Sequence, residues 1–167
     1  MRIGIVSDTH GHMRNALQAV AQLNELQVDA VLHCGDIGSV QIVPLFAGWP
    51  AHFVFGNVDD DESGMRWIIE EEGQTCHGRF GRITLLDKQI ALLHGDDWAA
   101  LKDAIDCQKF DLVCSGHTHK AELRREGRTI VLNPGALYRA RPKTFAVVDW
   151  PSGGVEFIEL REPGDGG

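Results

Sequence analysis

The stretch RIGIVSDTHG, Arg2 to Gly11, decides how the rest of the chain is read. Its apolar part, Arg2 to Ser7, reads as a buried strand, and the strand runs directly into Asp8 and His10, two side chains able to bind a metal. The same unit recurs downstream. DAVLHCG leads into Asp36, AHFVFG into Asn57, the second arm of GRITLLDKQIALLHG into His94, and DLVCSG into His117 and His119. Each fragment alone has an ordinary explanation, since Gly-Asp is a common turn and a histidine after a strand is usually a hydrogen-bonded surface residue. Five strand ends that all carry donor side chains are not explained that way.

Between the strands lie helical patterns. Met13 to Leu26 carries Ala16, Val20 and Leu23 at helical spacing with Leu17 beside them. Ser63 to Glu72 carries Met65, Ile68 and Ile69, and a third helix is marked by Trp98, Leu101 and Ile105. Strands joined through helices imply crossover connections and a mostly parallel sheet. GRITLLDKQIALLHG reads as a hairpin turning at Asp87-Lys88. From Ala121 the pattern changes to strand after strand: AELRRE, TIVLNPG, TFAVVDW and VEFIEL, with turns at Glu126-Gly127 and Ser152-Gly153-Gly154. The expected fold class is α/β: two packed mixed β-sheets flanked by helices, a four-layer αββα sandwich.

The chain has 167 residues, 43% of them hydrophobic, enough for one sizeable core, so a single domain over 1–161 is expected. The closing EPGDGG, 162–167, reads as a frayed tail. A net charge of -8, from 24 acidic and 16 basic residues, argues against a surface that coats nucleic acid but leaves room for a local anion site. Cys34, Cys76, Cys107 and Cys114 have no CxxC or zinc-ribbon spacing and read as reduced core residues. The N-terminal apolar stretch is too short for a signal peptide, and no run approaches the roughly 20 apolar residues of a membrane span. The expected location is the cytoplasm, with no membrane partner.

In open α/β sheets the carboxyl ends of parallel strands line one crevice, so the seven donors can converge there. Three oxygen donors (Asp8, Asp36, Asn57) and four imidazoles (His10, His94, His117, His119), with no thiolate, suit divalent Mn, Fe, Zn, Co or Ni. Seven ligands are too many for one ion that must also admit a substrate. Two ions about 3.5–4 Å apart, sharing one carboxylate, use them all.

Asp8-x-His10, Gly35-Asp36, Gly56-Asn57, His94 and Gly116-His117-x-His119 together resemble the signature of the calcineurin-like metallophosphoesterases, in that family's order, over roughly Met1 to Trp150. The short chain, Asp59 and Asn133-Pro134-Gly135 resemble the small prokaryotic phosphodiesterase branch. The retromer scaffold subunit resembles that branch too, so fold alone does not settle function. The resemblance implies one ion held by Asp8, His10, Asp36 and His119. It implies a second held by Asp36, Asn57, His94 and His117, with Asp36 as the bridge. Manganese comes first among the candidate metals. Asp36, Asn57 and His94 thereby stand beside the reacting phosphoryl group, and Asn57 contacts substrate as well as metal.

The chemistry implied is hydrolysis by a hydroxide generated on the metals, which also offset charge on the phosphoryl oxygens. Larger members of the family commonly place a histidine directly after the asparagine, able to protonate the leaving oxygen. Here that position is Val58, which cannot donate a proton and is expected to fill a small apolar gap. His12 and Asp59 are the candidate replacements, each of which also reads as a solvated loop residue. Between Lys120 and Lys143, seven basic residues stand against two acidic ones. The plain reading is a solvated hairpin face, and the sharper one is that Arg139 or Arg141 reaches the phosphate. The expected function is a two-metal phosphodiesterase acting on a small phosphoester, with nucleic acid entering only as substrate. A phosphomonoesterase or nuclease on the same site, or a non-catalytic scaffold of the same fold, remain the alternatives, and a homo-oligomer is compatible with any of them.

Overall fold

The strand β1 (Arg2–Val6) has apolar side chains on both faces, and both faces are covered. Ile3 and Ile5 enter a cluster with Leu32, Val54, Leu92, Leu112 and Leu132, whereas Val6 enters a second cluster with Ala16, Ala19 and Leu23 of α1 (Met13–Glu25). A strand buried on both sides lies between two other layers, which is why its sequence reads as a continuous apolar run. The computed structural model describes residues 1–161, and the EPGDGG segment lies outside the described residues.

The chain continues through β2 (Ala30–His33), a 3-10 helix (Val40–Phe46), β3 (Ala51–Phe53), α2 (Glu62–Glu71), β4 (Thr75–Cys76), β5 (Phe80–Leu85) and β6 (Lys88–Leu93). It then forms α3 (Trp98–Asp106), β7 (Leu112–Cys114), β8 (Ala121–Glu126), β9 (Thr129–Pro134), β10 (Thr144–Asp149) and β11 (Gly154–Glu159). One sheet has the order β11-β10-β1-β2-β3-β4, with β1 to β4 parallel and the late strands antiparallel at one edge. The other has the order β5-β6-β7-β9-β8 and is also mixed. The first large cluster fills the space between the sheets. The cluster containing Val6 lies under α1, α2 and the 3-10 helix, and a smaller one with Ala104 and Ile105 lies under α3. The fold is the expected α/β sandwich of two mixed sheets flanked by helices.

Several local expectations need correction. The hairpin turns on Leu86-Asp87, with φ of 47° and 60°, not on Asp87-Lys88, because a two-residue hairpin turn needs left-handed backbone at both central positions. AHFVFG is strand over only three residues, and neither the 3-10 helix nor the two-residue β4 was expected. Leu17 and Trp98 sit on helices but face solvent. The cysteines are free, but only Cys34 and Cys114 are buried; Cys76 is half-buried and Cys107 exposed. No helix among the described residues is long and apolar enough to cross a membrane.

Candidate metal centre

The loops that follow β1, β2, β6 and β7 are tied to one another through backbone hydrogen bonds. Asp8 N–H donates to Gly35 O at 3.0 Å, His10 N–H to Asp36 O at 2.9 Å, and Gly116 N–H to His94 O at 2.8 Å. The backbone there is strained. Asp8, His10, Asp36, His117 and His119 all have φ between 46° and 68°, a region non-glycine residues normally avoid at a cost of about 1–3 kcal/mol each. Five such residues in one crevice indicate loops shaped to aim side chains rather than to relax.

Those side chains converge. His119 Nε2 lies 3.1 Å from Asp8 Oδ1 and 3.4 Å from His10 Nε2, and His10 Nε2 lies 3.5 Å from Asp36 Oδ2. Asp8, His10, Asp36 and His119 each offer a donor atom within 4.8 Å of every other. On the other side of Asp36, Oδ1 is 3.3 Å from His94 Nε2, and Asn57 Oδ1 is 3.1 Å from both His94 Nε2 and His117 Nδ1. Atoms coordinated at about 2.0–2.2 Å and subtending tetrahedral or octahedral angles stand about 3.0–3.5 Å apart. The spacing therefore fits donors arranged for metal binding.

The fully buried Asp8 Oδ1 has no hydrogen-bond partner among the described residues. Its other oxygen accepts from Ser7 Oγ at 2.5 Å and His117 N–H at 3.2 Å. An unsatisfied buried carboxylate oxygen costs several kcal/mol unless a cation meets it, so the donor set fits a metal. The rings are oriented for the same end. His94 Nδ1 donates to Cys34 O at 2.8 Å and His119 Nδ1 to Arg139 O at 3.3 Å, leaving each Nε2 turned inward.

The buried groups of the cluster shift one another's pKa values in opposite directions. Burial opposes the Asp36 carboxylate, but the hydrogen bond and charge of His94, the Val58 N–H and the charge of His10 carry its pKa below the ordinary value. Burial likewise opposes a charged His94, yet Asp36, Asp8 and the Cys34 carbonyl raise its pKa. For His10 burial prevails over Asp36 and Asp8, and its pKa falls. A divalent ion bound at His94 would compete with its proton.

The other expected residues have different surroundings. Val58 does not fill an apolar gap: its side chain is 38% exposed, while its N–H donates to Asp36 Oδ1 at 3.1 Å and fixes the carboxylate. Asp59 is buried, with Oδ2 accepting from Gly56 N–H at 2.8 Å and Ile37 N–H at 3.2 Å, and Oδ1 accepting from Gly38 N–H at 2.8 Å. Burial raises its pKa and the three N–H groups lower it. With both oxygens held by backbone, Asp59 clamps the loops after β2 and β3 and is not aimed at a leaving group. His12 caps α1 and stacks on Tyr138 at 4.8 Å between centroids. Arg139 and Arg141 line a cavity with His12 and Tyr138 beside the site.

Sequence reasoning missed the supports. His33 is buried, accepts from Gly35 N–H at 3.2 Å and meets Thr9 Oγ1 at 3.0 Å, which fixes its neutral tautomer. Asn133 donates to Gly116 O at 2.7 Å and Thr118 Oγ1 at 3.0 Å, bracing the loop that carries His117 and His119. The glycine before His117 is required by close packing. A Cβ at Gly116 would lie 1.9 Å from Ser7 Oγ and 2.6 Å from Asp8 Oδ2, so only glycine lets β7's loop approach β1's.

Comparison with known proteins agrees with this geometry. The family model for the calcineurin-like phosphoesterase superfamily domain matches residues 1–153. Phosphodiesterase MJ0936 of Methanocaldococcus jannaschii is 30% identical over 154 residues, covering 89% of this chain and 93% of that protein. The solved structure of an archaeal phosphodiesterase superposes with a TM-score of 0.89 at 27% identity, covering 96% of this chain and 100% of that one. Zinc-bound Vps29 from Entamoeba histolytica, 19% identical with a TM-score of 0.62 over 96% of this chain and all of its own, shares the fold. Five strand ends that deliver this donor set, in this order and on this fold, place the chain in the calcineurin-like phosphoesterase superfamily.

Proposed function

We propose that the chain is a phosphodiesterase that works with two divalent ions, manganese being the first to test. One ion sits among Asp8, His10, Asp36 and His119, the other among Asp36, Asn57, His94 and His117. The observation that carries this reading is the bare, buried Asp8 Oδ1 facing His119 at 3.1 Å and His10 at 3.7 Å. The similarity to phosphodiesterase MJ0936 supports the reaction class. When bound, the ions would lower the pKa of a coordinated water and offset charge on the phosphoryl oxygens.

The chain's own residues hold that arrangement. Asp36 presents one oxygen to each half of the site, kept in place by the Val58 N–H. Asn57 contributes a neutral oxygen, adding a donor without another negative charge beside a phosphate. Ser7 and the His117 N–H satisfy the outer oxygen of Asp8, so only Oδ1 is left to face the imidazoles. In this reading water, activated by the ions, is the nucleophile.

The test is elemental analysis after reconstitution, combined with hydrolysis of bis(p-nitrophenyl) phosphate. About two ions per chain and metal-dependent release of p-nitrophenol are expected. Substantially less than one ion, with no hydrolysis of any aryl phosphoester under any of the five metals, would replace this reading with that of a scaffold.

A further inference from the structure

A cavity of about 690 Å³ opens between α1 and the segment that follows β9. Its walls include His12, Arg14, Tyr138, Arg139, Arg141 and Lys143, and none of its lining residues among those described is acidic. Tyr138 forms the partition: its ring centroid is 6.0 Å from that of His10 and 4.8 Å from that of His12, and Arg139 Cζ lies 5.4 Å from its centre on the cavity side. The volume falls within the range of small-molecule sites.

The charge of this cavity is out of keeping with the rest of the surface. In a chain of net charge -8, the basic segment from Lys120 to Lys143 divides in two. Arg124 and Arg128 are spent on the β8–β9 hairpin, pairing with Glu122, Glu126 and Asp111. Arg2, Arg66, Arg79 and Arg161 also pair with carboxylates, Arg125 donates to a carbonyl, and Arg82 and Arg139 lie over aromatic rings. Arg14 and Arg141 alone among the arginines have no such partner among the described residues, and both line this cavity. They come from opposite walls, one from the first turn of α1 and one from the loop before β10. Two guanidinium groups free to turn toward a shared space form a site for phosphate, whose oxygens their forked donors match.

A phosphodiester brings one negative charge to the metals and does not need this cavity. A second phosphate on the substrate would find its counter-charge there. Building on the proposed phosphodiesterase activity, we propose that the cavity binds a further phosphate carried by the substrate, so that the preferred substrates are phosphodiesters bearing a second phosphoryl group about one nucleoside away. The metal centre holds the scissile group, the Tyr138 partition separates the two phosphates, and Arg14 and Arg141 grip the distal one.

The test compares thymidine 5′-(p-nitrophenyl phosphate) with the same ester phosphorylated on its 3′ oxygen, using metal-loaded protein. The 3′-phosphorylated ester is expected to have kcat/KM about tenfold higher or more, through KM, with the advantage shrinking as salt rises. In the double variant Arg14→Gln/Arg141→Gln the ratio of the two substrates should fall toward one. Equal kcat/KM for both esters, or a ratio that the double variant leaves unchanged, overturns the proposal. So does a preference for plain p-nitrophenyl phosphate that the same variant abolishes, because the cations would then serve the scissile phosphate. If neither ester is hydrolysed with any metal, the cavity is judged on its own by calorimetric titration of pyrophosphate into metal-free protein in EDTA. Binding by the parent that the double variant loses supports the anion site; no binding, or equal binding, overturns it.

Discussion

A methyl group on Gly56 would stand 2.1 Å from Asp36 Oδ1, the oxygen that also faces His94. The loop after β3 is thus pressed against the carboxylate that faces both halves of the site, and the Gly56 N–H is held by Asp59 Oδ2. Gly56→Ala must displace either the carboxylate or the clamped backbone. It is expected to weaken metal binding by about tenfold or more and to destabilise the metal-free protein by about 1–3 kcal/mol. Metal titration and urea denaturation measure the two effects separately. Unchanged metal affinity would mean that the Asp36 carboxylate has room to move.

Removing the shared carboxylate itself should act on both halves of the site. Asp36→Ala would leave His10 and His94 facing an anion that is no longer there, so occupancy of both proposed ions should fall and turnover should vanish. Asn57→Ala removes one neutral donor from one ion, and a smaller loss is expected. Elemental analysis of the two variants decides: full two-ion occupancy in Asp36→Ala would show that the carboxylate is not a bridge.

The two mixed sheets and the convergence of donors were legible because burial and donor chemistry both write themselves into local sequence. Apolar runs such as Ile3 to Val6 mark strands, and the side chain just past each run marks the crevice. What stayed hidden depends on contacts between distant segments. Asp59 looks like any loop carboxylate until the N–H groups of Ile37, Gly38 and Gly56 are seen around it. Val58 looks like core because valine usually is, and only its position at the crevice mouth exposes it. The split of the basic segment is likewise invisible in one dimension, since Arg124 and Arg141 differ only in which neighbours the fold supplies.

His33 should make the metal-free protein sensitive to acid. Its burial, with the charge of His94 as a second cause, lowers its pKa from 6.5 to about 3, so the folded state stays neutral while the unfolded chain takes up a proton below pH 6.5. Stability from this residue is therefore intact above pH 6.5 and is lost as pH falls toward 3. Between pH 7.5 and pH 5 the loss should be about 2 kcal/mol. Urea denaturation in EDTA at the two pH values measures it, and His33→Gln should remove that share of the pH dependence even if it lowers stability overall. An equal pH dependence in both proteins would show that His33 does not remain neutral when folded.

The absence of a histidine at position 58 should appear in the leaving-group dependence of the reaction. A positioned general acid contributes about 10²–10⁴-fold, and most where the departing oxygen is a strong base. Val58 cannot donate, and Asp59 has both oxygens occupied by backbone. The parent protein should therefore hydrolyse aryl diesters far faster than alkyl ones, with rate falling steeply as leaving-group pKa rises. Because Val58 is 38% exposed and holds Asp36 only through its backbone N–H, an imidazole at this position has space and leaves that hydrogen bond in place. Val58→His should flatten the dependence by accelerating alkyl esters more than aryl esters. The measurement is kcat/KM for phosphodiesters of graded leaving-group pKa, on both proteins at matched metal occupancy. A flat series in the parent would show that another group already delivers the proton, and His12→Ala then tests the one expected donor whose side chain is not locked into the loops.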